Sequence, residues 1–200
     1  MWLSKLVLDP RSKAARRDLL KPYELHRTLS RAVSPGIKEG RERLLWRLEP
    51  VRAHERPVVL VQTLTRPDWD VLEEGYADVF PPKQFQPQLR PGDVFRFRVR
   101  ANPVKRARDT GKRVALKTRE EKFMWLARRL DFGGFHLVGA DIWQDSYLQA
   151  RKEDLAIQLQ AVLFEGLLRV KDPDRALETL ARGIGPGKAL GLGLLSIKRP

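Results

Sequence analysis

Tyr23, His26 and Arg31 fall in the segment PYELHRTLSRAV at residues 22–33, and their side chains could move protons and neutralise charge. The segment reads as a helix that starts at Pro22 and is stopped by Pro35-Gly36. At about 100° per residue, Leu25, Leu29, Ala32 and Val33 form an apolar stripe, while Tyr23, His26, Arg27 and Ser30 lie away from it. A tyrosine and a histidine three residues apart therefore share one side. Histidine exchanges protons near neutral pH, and tyrosine can orient or polarise a substrate oxygen. Arg31, with Arg11, Lys13, Arg16, Arg17 and Lys21 upstream, could neutralise a phosphate and the charge that develops on it. On spacing alone, a histidine at the surface or at the edge of a core is the competing reading.

Other candidate centres are weaker. His54 sits in the charged segment EPVRAHERP and His136 follows Gly133-Gly134-Phe135 at a strand start, so both read as structural. There is no HExxH pattern and no histidine pair at metal-ligand spacing. Neither a catalytic metal nor a cofactor is expected. The pairs Glu73-Glu74 and Glu120-Glu121 fall in helix-like sequence and read as solvated charge.

Two further segments suggest a polyanionic partner. Residues 90–117 hold Arg90, Arg96, Arg98, Arg100, Lys105, Arg106, Arg108, Lys112, Arg113 and Lys117 against Asp93 and Asp109 alone. Within them, NPVKRARDTGKRVALK at 102–117 reads as a projecting basic hairpin that reverses at Asp109-Thr110-Gly111. Such an arm could follow the groove or backbone of an RNA stem, and a stiff solvated loop is the alternative. The run GIGPGKALGLG at 183–193 has glycines at 183, 185, 187, 191 and 193, with Lys188 among them. It could bring backbone N–H groups to a phosphate or serve as a structural turn, and it matches neither a Walker A loop nor a dinucleotide fingerprint.

The elements that must position these residues repeat one pattern. Residues 1–9 read as a strand, a basic connection leads to the helix at 22–33, and strands follow at 43–49 and 57–65. Asp68 is a candidate cap for a short helix through Tyr76, and a further strand is expected around 77–86. In the second half, 93–101 alternates as a strand. Thr118 and Glu121 form a capping-box pattern before FMWLARRL, strands are expected at 135–150 and 154–170, a helix at 174–182 and a last strand near 190–198. The chain thus reads as α+β with two copies of one small layout, residues 1–90 and 91–200, joined around Pro87, Pro91 and Gly92. Trp2, Trp46 and Trp125 are expected in cores, Trp69 and Trp143 partly exposed.

Composition sets the outer bounds. The 200 residues include 42% hydrophobic side chains and a formal charge of +14, split as +5 over residues 1–90 and +9 over 91–200. That is too apolar for a disordered polycation and basic enough to attract nucleic acid in a salt-dependent way. The absence of cysteine excludes a disulfide scaffold and a thiol nucleophile, and makes an intracellular, cytoplasmic setting the expectation. No stretch approaches the roughly 20 apolar residues of a spanning helix, so no membrane partner is expected. The opening residues read as native sequence rather than a tag.

MWLSKLVLD, PYELHRTLSRAV, VLVQT, FRFRVRANPVKR, GKRVALK, VLFEG and GIGPGKALGLGLLSI together resemble the CasE type of CRISPR-associated repeat-processing endoribonuclease over nearly the whole chain. The resemblance implies two tandem ferredoxin-like domains of the RAMP type, the first with the catalytic helix and the second with the basic arm and the glycine-rich loop. It implies metal-independent cleavage at the base of a CRISPR repeat stem-loop, retention of the product and membership of a Cascade-type complex. The family's catalytic histidine and tyrosine correspond to His26 and Tyr23. Some members have lysine where this chain has Arg31, which preserves the charge. The implied RNA-binding residues are Arg27, Lys105, Arg106, Arg108, Lys112, Arg113 and Lys117, with Gly183, Gly185, Gly187, Lys188, Gly191 and Gly193 in the loop. The same surface suits two other readings, a non-cleaving RNA-binding scaffold and a DNA-binding module.

Overall fold

Alternation in WLSKLVL puts Ser4, Leu6 and Leu8 on one face of strand β1 (Trp2–Leu8), and all three are buried. The computed structural model describes all residues except Ser34, Pro35, Lys38, Gly40, Arg52, Arg108, Glu153 and Asp154, and the side chains of Arg151, Lys152 and Leu155. Two compact units divide the chain. The first holds Met1–Gln86, Ala150–Ile157 and Lys188–Gly191, and the second holds Pro87–Gln149, Gln158–Gly187 and Leu192–Pro200.

In the first unit β1 is followed by helices α1 (Lys13–Leu20) and α2 (Pro22–Arg31), then by strands β2 (Leu45–Leu48) and β3 (Val58–Thr63). Strands β4 (Ala77–Val79) and β5 (Lys83–Gln84) complete an antiparallel sheet of order β2-β3-β1-β4, with β5 also on β1. Leu25 and Leu29 of α2 pack with Leu6, Leu8, Trp46, Val59, Val61 and Tyr76 in one core. The basic connection expected at 10–21 contains helix α1, capped by Ser12, whose hydroxyl accepts from Ala15 N. It buries only Ala15 and Asp18. Asp18 is held by the Tyr76 hydroxyl at 2.8 Å and by Arg17. Pro22 cannot supply an N–H to α1, so Lys21 ends one helix and starts the next. Lys21 N donates to the carbonyls of Arg17 and Asp18, and its own carbonyl accepts from Glu24 and Leu25.

Several expectations change here. The helix capped by Asp68 is a single 3₁₀ turn, Trp69–Val71, so Glu73 and Glu74 stand exposed after it rather than on a helix. Trp69 is buried, donating its indole N–H to Ser4 Oγ at 3.0 Å. Trp2 is only partly buried, with the Arg66 guanidinium 5.7 Å from its ring centroid.

In the second unit strand β6 (Val94–Ala101) leads to hairpin strands β7 (Val104–Arg106) and β8 (Arg113–Ala115), then helix α3 (Arg119–Phe132). Strands β9 (Phe135–Lys152) and β10 (Leu155–Val170), helix α4 (Pro173–Arg182) and strand β11 (Leu195–Lys198) follow. The larger sheet has the order β11-β6-β10-β9, and β7 pairs with β8 alone. Helix α3 begins with the full capping box, Thr118 Oγ1 accepting from Glu121 N and the Glu121 carboxylate accepting from Thr118 N. The last strand is shorter than 190–198, because residues 188–190 form a 3₁₀ turn.

Candidate functional site

Helix α2 turns one flank into the core and leaves Tyr23, His26 and Ser30 half-buried on its rim, with Arg27 and Arg31 exposed. The Ser30 hydroxyl donates back to the His26 carbonyl at 2.6 Å, and Arg27 pairs with Glu24 at 3.3 Å. His26 Nδ1 is buried and has no hydrogen-bond partner among the described residues. Burial disfavours the imidazolium and holds the His26 pKa below its ordinary value. Burial thus biases the ring toward its neutral form, which can accept a proton. Arg31 lies about 140° around the helix from His26 at 100° per residue, so its guanidinium flanks the Tyr23–His26 side rather than sharing it.

The structure brings part of the glycine-rich segment to this helix. The turn Lys188–Leu190 packs against α2 and β2. All five glycines of the segment have positive φ. At Gly191 a Cβ would stand 2.6 Å from the Trp46 ring, and at Gly193 it would stand 2.6 Å from the Ile184 carbonyl. Close internal approach thus explains glycine at both buried positions. Gly183, Gly185, Gly187 and Lys188 are half-buried.

The basic arm is the β7–β8 hairpin. Lys105, Arg106, Lys112, Arg113 and Lys117 are exposed on it, and Arg108 lies outside the described residues. The reversal falls where Asp109-Thr110-Gly111 predicts it, closed by Gly111 N to the Ala107 carbonyl at 2.9 Å. Glu121 binds the arm to α3. Its carboxylate accepts from Lys105 Nζ at 2.8 Å and from the backbone N–H groups of Lys117 and Thr118, which lowers its pKa to about 2. Between arm and helix lies a groove of about 420 Å³ lined by Val104, Leu116, Met124, Trp125, Arg128 and Arg129, among others. Arg128 and Arg129 are exposed and were not singled out by sequence reasoning, although their spacing on FMWLARRL was the available signal. Helix α1 adds Lys13, Arg16 and Arg17 as exposed cations on an element packed against α2.

His54 occupies an exposed turn with φ of 67°, and His136 is exposed at the start of β9. Among the described residues no group of three or more His, Asp or Glu side chains could hold a metal ion.

A Tyr–His helix in an α+β chain that also displays a cationic hairpin defines a protein built to handle a phosphodiester chain. The chain belongs to the CRISPR-associated protein family, whose model matches residues 1–199. It is 64% identical over 209 aligned positions to the CRISPR-associated endoribonuclease Cse3 of Thermus thermophilus, covering 98% of this chain and 99% of that protein. It is 30% identical to the CRISPR system Cascade subunit CasE of Escherichia coli, with 98% of each chain covered. Among solved structures, Thermus thermophilus Cse3 bound to an RNA representing a pre-cleavage complex superposes with a TM-score of 0.95 at 65% identity, with 98% of each chain covered.

Proposed function

We propose that this chain is a metal-independent CasE-type endoribonuclease that binds a CRISPR repeat stem-loop, cuts at the base of the stem and keeps the product. The observation that carries the reading is the pairing of Tyr23 and half-buried His26 on α2, against which the Lys188–Leu190 turn packs. Full-length similarity to the Thermus endoribonuclease supports it. The 2′-hydroxyl beside the scissile phosphate attacks phosphorus, and the P–O bond to the next nucleotide's 5′-oxygen breaks. The products are a 2′,3′-cyclic phosphate and a 5′-hydroxyl. His26, neutral through burial, takes the 2′-hydroxyl proton, and Tyr23 orients that hydroxyl. Arg31 and Arg27 add positive charge near the phosphate. The nucleophile belongs to the substrate, so no metal-bound water is needed.

The stem is held by Lys105, Arg106, Arg108, Lys112, Arg113 and Lys117. Backbone groups of the half-buried part of the glycine-rich segment, Gly183, Gly185, Gly187 and Lys188, approach the phosphates, whereas buried Gly191 and Gly193 serve internal packing and not the RNA. Both units are read as ferredoxin-like domains in tandem. The strand orders β2-β3-β1-β4 and β11-β6-β10-β9 support this, since each places the first strand of its unit between the third and the fourth. Membership of a Cascade-type complex and cytoplasmic residence complete the reading, the former drawing on the likeness to the Cascade subunit CasE.

The test is cleavage of a labelled repeat stem-loop in EDTA beside the same RNA carrying one 2′-deoxyribose at the cut. Cutting of the first alone, with a cyclic-phosphate end, is expected. Tight binding with no cutting of either RNA would replace this reading with a scaffold.

A further inference from the structure

Strand β9 ends the order of the second sheet, hydrogen-bonded on one side to β10 and to no other described strand. A long free edge offers a row of backbone donors and acceptors to any passing strand, and proteins usually blunt such edges with lysine, proline or short length. Strand β9 has 18 residues, and neither lysine nor proline occurs in its first part, residues 135–149. Trp143 and Tyr147, four residues apart and so on one strand face, are 70% and 62% exposed. Asp145 lies between them on that face, paired with Lys122 of α3, and exposed Asp141 and Gln149 extend the line.

The strand's own sequence runs against the basic character of the chain. Residues 130–150 form the longest run in the chain without Lys or Arg and contain Asp131, Asp141 and Asp145. Asp131 and Asp145 are already paired with Lys171 and Lys122, and exposed Asp141 stands beside the two rings with no ion pair among the described residues, so RNA phosphates would meet an aspartate there and lysines that are already engaged. A second copy of the chain fits badly too. Two-fold pairing of β9 with itself would bring no cation to Asp141, because residues 130–150 of the second copy carry neither Lys nor Arg. Two solvent-facing aromatics beside an unused strand edge suit a different protein that adds a strand.

We propose that the β9 edge, with Trp143 and Tyr147 as anchors, is where a neighbouring protein subunit of the ribonucleoprotein complex docks an extended segment bearing Lys or Arg opposite Asp141. This rests on the complex membership proposed above. The segment continues the sheet through main-chain hydrogen bonds, and its apolar side chains cover the two rings. RNA stays on the cationic surfaces.

The experiment co-expresses the chain with the other subunits of its Cascade-type complex and a guide RNA, using the double variant W143S/Y147S and separately Asp141→Lys. Both variants change exposed positions outside the cutting and RNA-holding residues, and circular dichroism checks their folding. Each isolated variant should cut the repeat stem-loop within about twofold of wild type, while at least about tenfold less of it copurifies with the complex. Wild-type recovery of both variants in the complex overturns the docking edge and leaves the nuclease reading intact. Folded variants that lose stem-loop affinity assign the edge to RNA and overturn the proposal. A wild-type dimer in sedimentation that W143S/Y147S converts to monomer assigns it to a second copy, with the same effect. A wild-type protein that cuts RNA but never copurifies with the other subunits removes the complex membership itself.

Discussion

Replacing the 5′-oxygen leaving group by sulfur separates the two roles that His26 can play. The structure favours proton acceptance, because the ring is half-buried, Nδ1 has no hydrogen-bond partner among the described residues, and burial holds the pKa below 6.5. A general base of this kind contributes roughly 10²–10⁴-fold, so His26→Ala should slow single-turnover cleavage of ordinary RNA by that factor at saturating protein. A thiolate leaves without a proton. If His26 removes the 2′-hydroxyl proton, the same loss of roughly 10²–10⁴-fold persists on a 5′-phosphorothiolate substrate, since the missing base is still missing. The assay is a comparison of wild type and His26→Ala on both RNAs in EDTA at pH 7.5. Recovery of His26→Ala on the sulfur substrate to within about tenfold of wild type would refute the argument from burial and make His26 the acid.

Other consequences can be checked in parallel. Because the folded pKa of His26 is depressed, the unfolded chain takes up the proton first as pH falls through about 6.5. Stability is therefore full above that pH and declines below it, whereas cleavage at protein concentrations far under saturation follows the proton on folded His26 and declines only at a lower pH. Urea midpoints at pH 7.5 and 5.5 should converge in His26→Ala relative to wild type. The double change Lys112→Ala with Arg113→Ala should reduce the slope of log affinity against log salt by about 1.5, from roughly 0.7–0.9 per phosphate contact, and leave the saturated cutting rate unchanged in filter-binding and quench assays. Tyr76→Phe removes a 2.8 Å bond to fully buried Asp18 and should lower unfolding free energy by about 2 kcal/mol in urea titration. Gly191→Ala forces a Cβ against Trp46 at φ of 76° and should cost roughly 2–4 kcal/mol by the same titration.

The legible parts of the chain were those with strong local rules. Alternation in DVFRFRVRA, the capping box at Thr118 and Glu121, and the reversal at Asp109-Thr110-Gly111 each encode their own geometry and appear as expected. Helix α1 escaped because KAARRDLL has no stripe wider than Ala15 and Leu19, and its most deeply buried polar group is an aspartate satisfied by Tyr76, 58 residues away. Trp69 was placed partly outside for a similar reason. Its indole partner, Ser4, lies on a distant strand. At the site, helical periodicity aligned Tyr23 with His26, but nothing local indicates that Nδ1 lacks a partner or that residues 188–190 pack on the same helix.

Lys105 faces two rival anions. The Glu121 carboxylate that starts α3 also anchors the arm, and with a pKa near 2 it stays charged at any pH where the RNA would be bound. The base of the arm is therefore oriented before a stem arrives, and less ordering remains to be done on binding. A phosphate that recruits Lys105 must first draw it away from Glu121, so this lysine's net gain from RNA is the difference between two ion pairs. Its neighbours toward the tip, Lys112 and Arg113, are under no such competition from Glu121, and the arm should grip more firmly at its end than at its root.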